Sequence, residues 1–232
     1  MKKSIWLLLP FLFFIASCSF NRNNKKSKVD ASTIIILNGP SASGKSSIQE
    51  AFIRKVEDPW VKIGIDNFFV GVLSNYYIFG EYTPRCPQYN IMAGVASQDQ
   101  YGNPLFTLDI GPAGEKIIDG MNHAIKAYAD TGNNIIVDYI AYEPRWLEQL
   151  IDLLSDHEVI LIKVTVPLSI LEEREALRAT SPRGHARSHY DSIHKHSLTY
   201  DLEIDTSQLT PEEAAEVMCN FLDKDVVSSK TN

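Results

Sequence analysis

The stretch Thr33-Ile34-Ile35-Ile36-Leu37-Asn38, closed by Gly39, constrains the fold of this chain more than any other. Its unbroken aliphatic run leaves no polar face, so it reads as a strand buried on both sides, the kind found in parallel sheets covered by helices. Beyond a Gly- and Ser-rich loop, Ile48, Phe52 and Val56 recur at four-residue spacing and mark an amphipathic helix. Strand, tight loop and helix in that order open a β-α unit.

The alternation continues. Strands are predicted at 60–66, 133–140, 158–166 and 200–205, and helices at 113–130, 143–154 and 168–178. A last helix opens at Thr210-Pro211-Glu212-Glu213: Thr210 is a natural N-cap, Pro211 suits the first helical position and Glu213 completes a capping box. Residues 97–112 break the pattern and read as a hairpin turning at Tyr101-Gly102-Asn103-Pro104. The expected architecture is α/β, a parallel sheet of about five strands flanked by helices. With 232 residues, 44% of them hydrophobic, the chain suits one core. That domain is placed at 33–225, with 226–232 as a disordered tail.

Residues 1–18 carry a different signal. Lys2 and Lys3 precede a mostly apolar run from Ile5 to Ala16, too short for a bilayer core of about 30 Å and right for the core of a signal peptide. The run ends Ile15-Ala16-Ser17-Cys18, which resembles a bacterial lipobox with Cys18 as the lipidated residue. An ordinary secretory signal or a short buried helix are the alternatives. Residues 19–32, polar and basic, read as a flexible tether. The expected location is therefore a membrane-anchored lipoprotein facing the periplasm or exterior, with the cytoplasm as the alternative. A formal net charge of −7 argues against nucleic acid or an anionic membrane surface as the main partner, so membrane contact is expected through the anchor only. Cys86 and Cys219 receive no role, because spacing alone cannot pair them.

The loop after the first strand carries the chemistry. Gly39, Pro40, Ser41, Ala42, Ser43, Gly44, Lys45 and Ser46 fit GxxxxGK(S/T), and with Ser47 they compose a candidate nucleotide cradle. Small residues let backbone N–H groups approach phosphate oxygens, and the helix start adds its positive dipole end. Lys45 would reach the β and γ phosphates of ATP, and Ser46 would ligate Mg2+. Asp138 ends the apolar strand Asn134-Ile135-Ile136-Val137 and can hold the same ion, or simply close the strand. Arg174, Arg178, Arg183 and Arg187 lie in a segment whose Ser-, Pro- and Gly-rich part, 179–187, reads as a mobile lid. Arginine on a closing lid neutralises a migrating phosphoryl group; the alternative is pairing with Glu172, Glu173 and Glu175. Asp66, at the end of the second predicted strand, can take the proton of an attacking hydroxyl, or cap the helix that follows. Phe68, Phe69, Tyr76, Tyr77, Phe79, Tyr82 and Tyr89 offer an aromatic acceptor pocket, although most suit core or lid packing. His185, His189, His194 and His196 are spaced loosely for zinc and suit structural or substrate-contacting roles.

Taken in order, Leu37-Asn38-Gly39-Pro40-Ser41-Ala42-Ser43-Gly44-Lys45-Ser46-Ser47, Pro59 to Asp66, the hairpin leading into Asp109-Ile110-Gly111-Pro112, Asn134 to Asp138, Arg174 to Arg187 and Tyr200 to Ser207 resemble the chloramphenicol phosphotransferase-like family of P-loop kinases. The resemblance runs from about residue 33 to residue 222. It implies transfer of the ATP γ-phosphoryl group to a hydroxyl of an antibiotic-like small molecule, with Asp66 as catalytic base and the loop at 203–207 near adenine. Tyr139 stands where the family often has a second acid, and Arg183-Gly184-His185 where its lid commonly reads Arg-Gly-Asp. Residues 68–100 are the least similar part. A nucleoside or nucleotide-sugar kinase, or a tethered nucleotide-binding module without turnover, are the alternative functions.

Overall fold

The computed structural model describes residues 32–74, 77, 91–179 and 181–229. The signal with Cys18, the tether up to residue 31, Tyr76, Phe79, Tyr82, Tyr89 and Cys86 lie outside the described residues.

Five parallel strands form the main sheet: β1 (Thr33–Asn38), β2 (Trp60–Gly64), β5 (Asn134–Tyr139), β6 (Glu158–Thr165) and β7 (Leu202–Asp205). Their order is β2-β5-β1-β6-β7, so β1 lies at the centre, between β5 and β6. Its alternate side chains serve two cores. Ile34 and Ile36 face α2 (Pro112–Ala129) and α3 (Pro144–Leu153), packing with Met121, Ile125, Trp146 and Leu150. Ile35 and Leu37 face α1 (Lys45–Lys55) and α6 (Pro211–Ser229), packing with Ile48, Phe52 and Met218. Polarity on either side would sit in a core, which is why the run in the sequence is unbroken.

The second sheet is the expected hairpin, β3 (Met92–Gln98) against β4 (Pro104–Ile110). It begins earlier than the sequence suggested. The Asp99 carboxylate closes its turn by accepting the N–H groups of Tyr101 and Asn103, both at 2.9 Å. Two short helices complete the chain, α4 (Leu168–Ala176) and α5 (His185–His189).

Three boundaries correct the sequence reading. β2 stops at Gly64, because Asn67 Oδ1 takes the Gly64 N–H at 2.6 Å and the chain coils into a π-helical turn over Asn67–Val72. Asp66 thus stands just past the strand rather than at its end. α4 stops short of 178, and α6 runs to Ser229, so residues 226–229 continue a helix where a tail was expected. The capping box is present: Thr210 N–H donates to Glu213 Oε2 at 2.8 Å and Glu213 N–H returns to Thr210 Oγ1 at 3.2 Å. Among the described residues, no helix is long and apolar enough to cross a membrane.

The fold delivers the loop after β1 to the carboxyl edge of the sheet, where β1 and β6 leave no room at its first residue. A Cβ on Gly39 would stand 2.4 Å from the Val164 carbonyl oxygen of β6. Gly39→Ala should therefore destabilise the protein by about 2 kcal/mol through overpacking, read as a lowered midpoint in urea unfolding with an unchanged slope.

Candidate active site

Gly44 caps α1 from the left-handed region, at φ +99°, and Ala42 adopts φ +64°, the only positive φ of a non-glycine among the described residues. These turns wrap the loop around a cleft of about 200 Å³ lined by Ser41, Lys45, Ser46, Asp66, Asp138 and Arg178, among others. The Lys45 ammonium is buried and curls back on its own loop, donating to the carbonyls of Gly39 at 2.8 Å and Pro40 at 2.9 Å. Asp138 Oδ1 lies 3.5 Å away. Burial lowers the Lys45 pKa from its ordinary value, with Asp138 pulling the other way. Ser46 Oγ donates to Asp138 Oδ2 at 2.5 Å.

β5 places that carboxylate. Asp138 pairs in register with Gly64 on one side and Leu37 on the other, so it rises between β2 and the loop. A hydroxyl and a carboxylate oxygen in contact are a hard-donor pair suited to a divalent cation such as Mg2+. A buried ammonium beside them suits the oxygens of a polyphosphate. These residues fit a nucleotide and its metal ion.

Asp66 lines the same cleft. It makes no capping hydrogen bond to the turn it precedes, so the N-cap reading is set aside. Its carboxylate opens to the cleft yet is closely ringed by protein. Burial raises its pKa, Asp138 raises it further, and Lys45, His185 and Arg178 oppose.

The four arginines part company. Arg178 lines the cleft. Arg174 braces the loop from outside, with Nη1 donating to Thr206 Oγ1 and Nη2 to Thr206 O, both at 2.8 Å. Thr206 in turn donates to the Ser43 carbonyl at 2.7 Å. Arg187 is occupied elsewhere: Nε bonds Glu172 at 2.5 Å and Nη1 lies 3.6 Å from Asp99 of the hairpin. Arg183 is exposed and outside the residues that line the cleft. Ala42, Gly44 and Ser47 line an adjoining shallow cleft with Arg174, Thr206 and Pro211.

The segment read as a lid is docked. Buried Glu175, an arginine partner in the alternative reading, instead accepts the N–H groups of Gly184 at 2.7 Å and Ala186 at 2.6 Å. Gly184 packs on the hairpin so closely that a Cβ would lie 2.2 Å from Pro104 O, and its carbonyl accepts Phe106 N–H at 3.1 Å. The roles of Glu175 and Thr206 escaped the sequence reading because a carboxylate among arginines, or one threonine in a loop, carries no signal until tertiary contacts bury it. The histidines form two aromatic groups, His185 and His189 with Tyr142, and His194 and His196 with Tyr200. Phe69 belongs to the core and Phe68 packs against that core, the packing role that suits most of these aromatics.

The family model for chloramphenicol phosphotransferase-like proteins matches residues 32–223. The chain belongs to this family. A Mycobacterium tuberculosis protein named "Putative O-phosphotransferase Rv2636" is 28% identical over 182 residues, 78% of each chain. Among solved structures, an unliganded sugar kinase from Janibacter matches with TM-score 0.54 and 16% identity, over 83% of this chain and 95% of that one. The Mycobacterium tuberculosis APS kinase CysC, in complex with AMPPNP and APS, matches with TM-score 0.53 and 16% identity, over 83% and 98%. These two show the P-loop kinase fold. Tyr139, beside Asp138, turns into the core, fully buried, with its hydroxyl on Asn122 Oδ1 at 3.3 Å.

Two outcomes follow from this geometry. Thr206→Val leaves the Ser43 carbonyl and Arg174 short of a partner and should cost about 1–3 kcal/mol, measured by denaturant unfolding. Asp66 binds its proton more tightly folded than unfolded, so its ionisation works against folding above the ordinary carboxylate value of 3.8. Asp66→Asn should raise the melting temperature at pH 7, and the gain should shrink as pH falls towards that value and vanish below it. A gain that persists in acid would contradict the assigned cause.

Proposed function

We propose that this family member transfers the γ-phosphoryl group of ATP to a hydroxyl of a small antibiotic-like acceptor. The observation that carries the reading is the convergence of Lys45, Ser46, Asp138 and Asp66 on one cleft. The loop amides and Lys45 bind the phosphates, while Ser46 and Asp138 would hold Mg2+, which would supply charge neutralisation to the polyphosphate. Asp66 aligns the acceptor hydroxyl and receives its proton as that oxygen bonds to the γ-phosphorus and the bond to the β-phosphate oxygen breaks. Arg178 faces the migrating charge; Arg174 serves by holding the loop.

The family match and the phosphotransferase relative support the reaction class. The acceptor and the donor belong to the proposal. Incubation of the protein with ATP, Mg2+ and a panel of hydroxylated antibiotics, nucleosides and sugars, followed by mass spectrometry, should yield one acceptor gaining a single phosphoryl group. Asp66→Ala should lower kcat by roughly 10²–10⁴-fold with little change in nucleotide affinity, whereas Lys45→Ala should weaken nucleotide binding itself. In the wild type, kcat/KM should fall on the acid side, with its midpoint above 3.8 because the Asp66 pKa is raised. Loss of ATP affinity and transfer together in Asp66→Ala would refute this division of labour.

We also propose export and lipidation at Cys18, on the strength of the Ile15-Ala16-Ser17-Cys18 sequence. Palmitate labelling should be lost in Cys18→Ala, and equal labelling would reject the anchor. An exported kinase needs ATP at its destination, so activity assayed in membrane and soluble fractions bears on the same proposal.

A further inference from the structure

We propose that His189 is a positioning residue that tethers the phosphate loop to the docked lid, a role that rests on the nucleotide reading of that loop. The backbone N–H of Ser41, on the cleft wall, donates to His189 Nε2 at 3.0 Å across 148 residues of sequence. Nε2 accepts, so the imidazole is neutral and carries its proton on Nδ1. That second nitrogen is buried, with no hydrogen bond of full geometry and only a weak approach to the His185 backbone. A buried, half-satisfied imidazole is unfavourable for stability alone, and a hydrophobic residue would fill the space without leaving a nitrogen unpaired. What the histidine supplies is a fixed acceptor for one amide of the loop.

The ring is held to make that bond. It packs edge-on to Tyr142, centroids 4.9 Å apart, and against His185 at the same separation. His185 is fixed in turn, with Nδ1 on the Phe106 carbonyl at 3.3 Å and Nε2 on the Tyr142 hydroxyl at 3.0 Å. Since the carbonyl only accepts, His185 is also an Nδ1–H tautomer, and Tyr142 donates to it. Ser188 Oγ adds a bond to Phe106 O at 2.9 Å. Hairpin, lid and phosphate loop are joined through α5, and His189 is the link on the loop side. Burial holds its pKa down at about 3, the His185 ring and Lys45 acting in the same direction and the His185 backbone against them, so the link stays neutral and accepting.

The tether matters when Lys45 leaves its resting partners. With the cleft as it stands, the ammonium itself pins the loop by bonding the Gly39 and Pro40 carbonyls. Turning towards a phosphate draws it from those carbonyls. The Ser41 bond to His189 does not involve Lys45, so it keeps the first half of the loop in place while the ligand binds.

The test uses the full chain and its His189→Ala, His189→Gln and His189→Asn variants. Hydrogen exchange at the Ser41 amide is read without ligand, and the dissociation constant of Mg·AMPPNP by calorimetry. His189→Ala should speed Ser41 exchange and weaken AMPPNP binding about tenfold, the scale of one lost hydrogen bond. Glutamine sets an amide oxygen near the position of Nε2 and should restore both, whereas the shorter asparagine should restore neither. If the alanine variant does not fold, the contrast between glutamine and asparagine still decides. Wild-type affinity in His189→Ala, or a folded glutamine variant that behaves as alanine, would overturn the proposal. A wild type that does not bind AMPPNP would overturn the nucleotide reading and the role built on it, and Ser41 exchange would still show whether His189 holds the loop.

Discussion

Everything in this protein depends on β1 being apolar on both faces. A strand with no polar side cannot lie at a surface, so helices must cover the sheet from both directions. The parallel connections that this requires send the loops after β1, β2 and β5 to one edge. That edge is where Lys45, Asp66 and Asp138 meet. Burial of Ile34 to Leu37 is thus the physical cause of the site, although none of these residues touches it.

The site gathers charge that the fold would not choose for stability. Lys45 is buried against carbonyls and a carboxylate, and Asp66 is held near Asp138 with its pKa raised by burial and by that neighbour. Like charges kept close in a partly enclosed cleft are a cost that the two cores offset. Such an arrangement is preorganised for a ligand carrying the opposite pattern, anionic oxygens towards Lys45 and Arg178 and a proton to give up towards Asp66.

The hairpin presents a separate problem, since two strands alone are marginal in water. Here α5 anchors it, through the backbone bond from Phe106 to Gly184 and the side chains of His185 and Ser188. Glu175 fixes the start of α5 by accepting the amides of its cap Gly184 and of Ala186. The left-handed φ of +85° at Gly184 and the missing Cβ there permit the close approach to Pro104. Lid and hairpin consequently form one wall of the molecule.

By itself the sequence determined the layered α/β fold, the strand-loop-helix at 33–55, the hairpin, the capping box at Thr210 and the family, because periodicity, turn chemistry and the GxxxxGK(S/T) spacing are local properties. It also singled out Lys45, Ser46, Asp66 and Asp138, each in the glycine loop or in or just after a predicted strand. Tertiary structure alone decided what the arginines do. Arg174, Arg178, Arg183 and Arg187 look alike in a charged segment, and only three-dimensional neighbours separate a brace on Thr206, a cleft residue, an exposed side chain and a partner of Glu172. The roles of Glu175, Thr206 and His189 were likewise invisible, since each depends on bonding a backbone group distant in sequence. Periodicity shows which face of an element is buried, but not which distant backbone group will meet it.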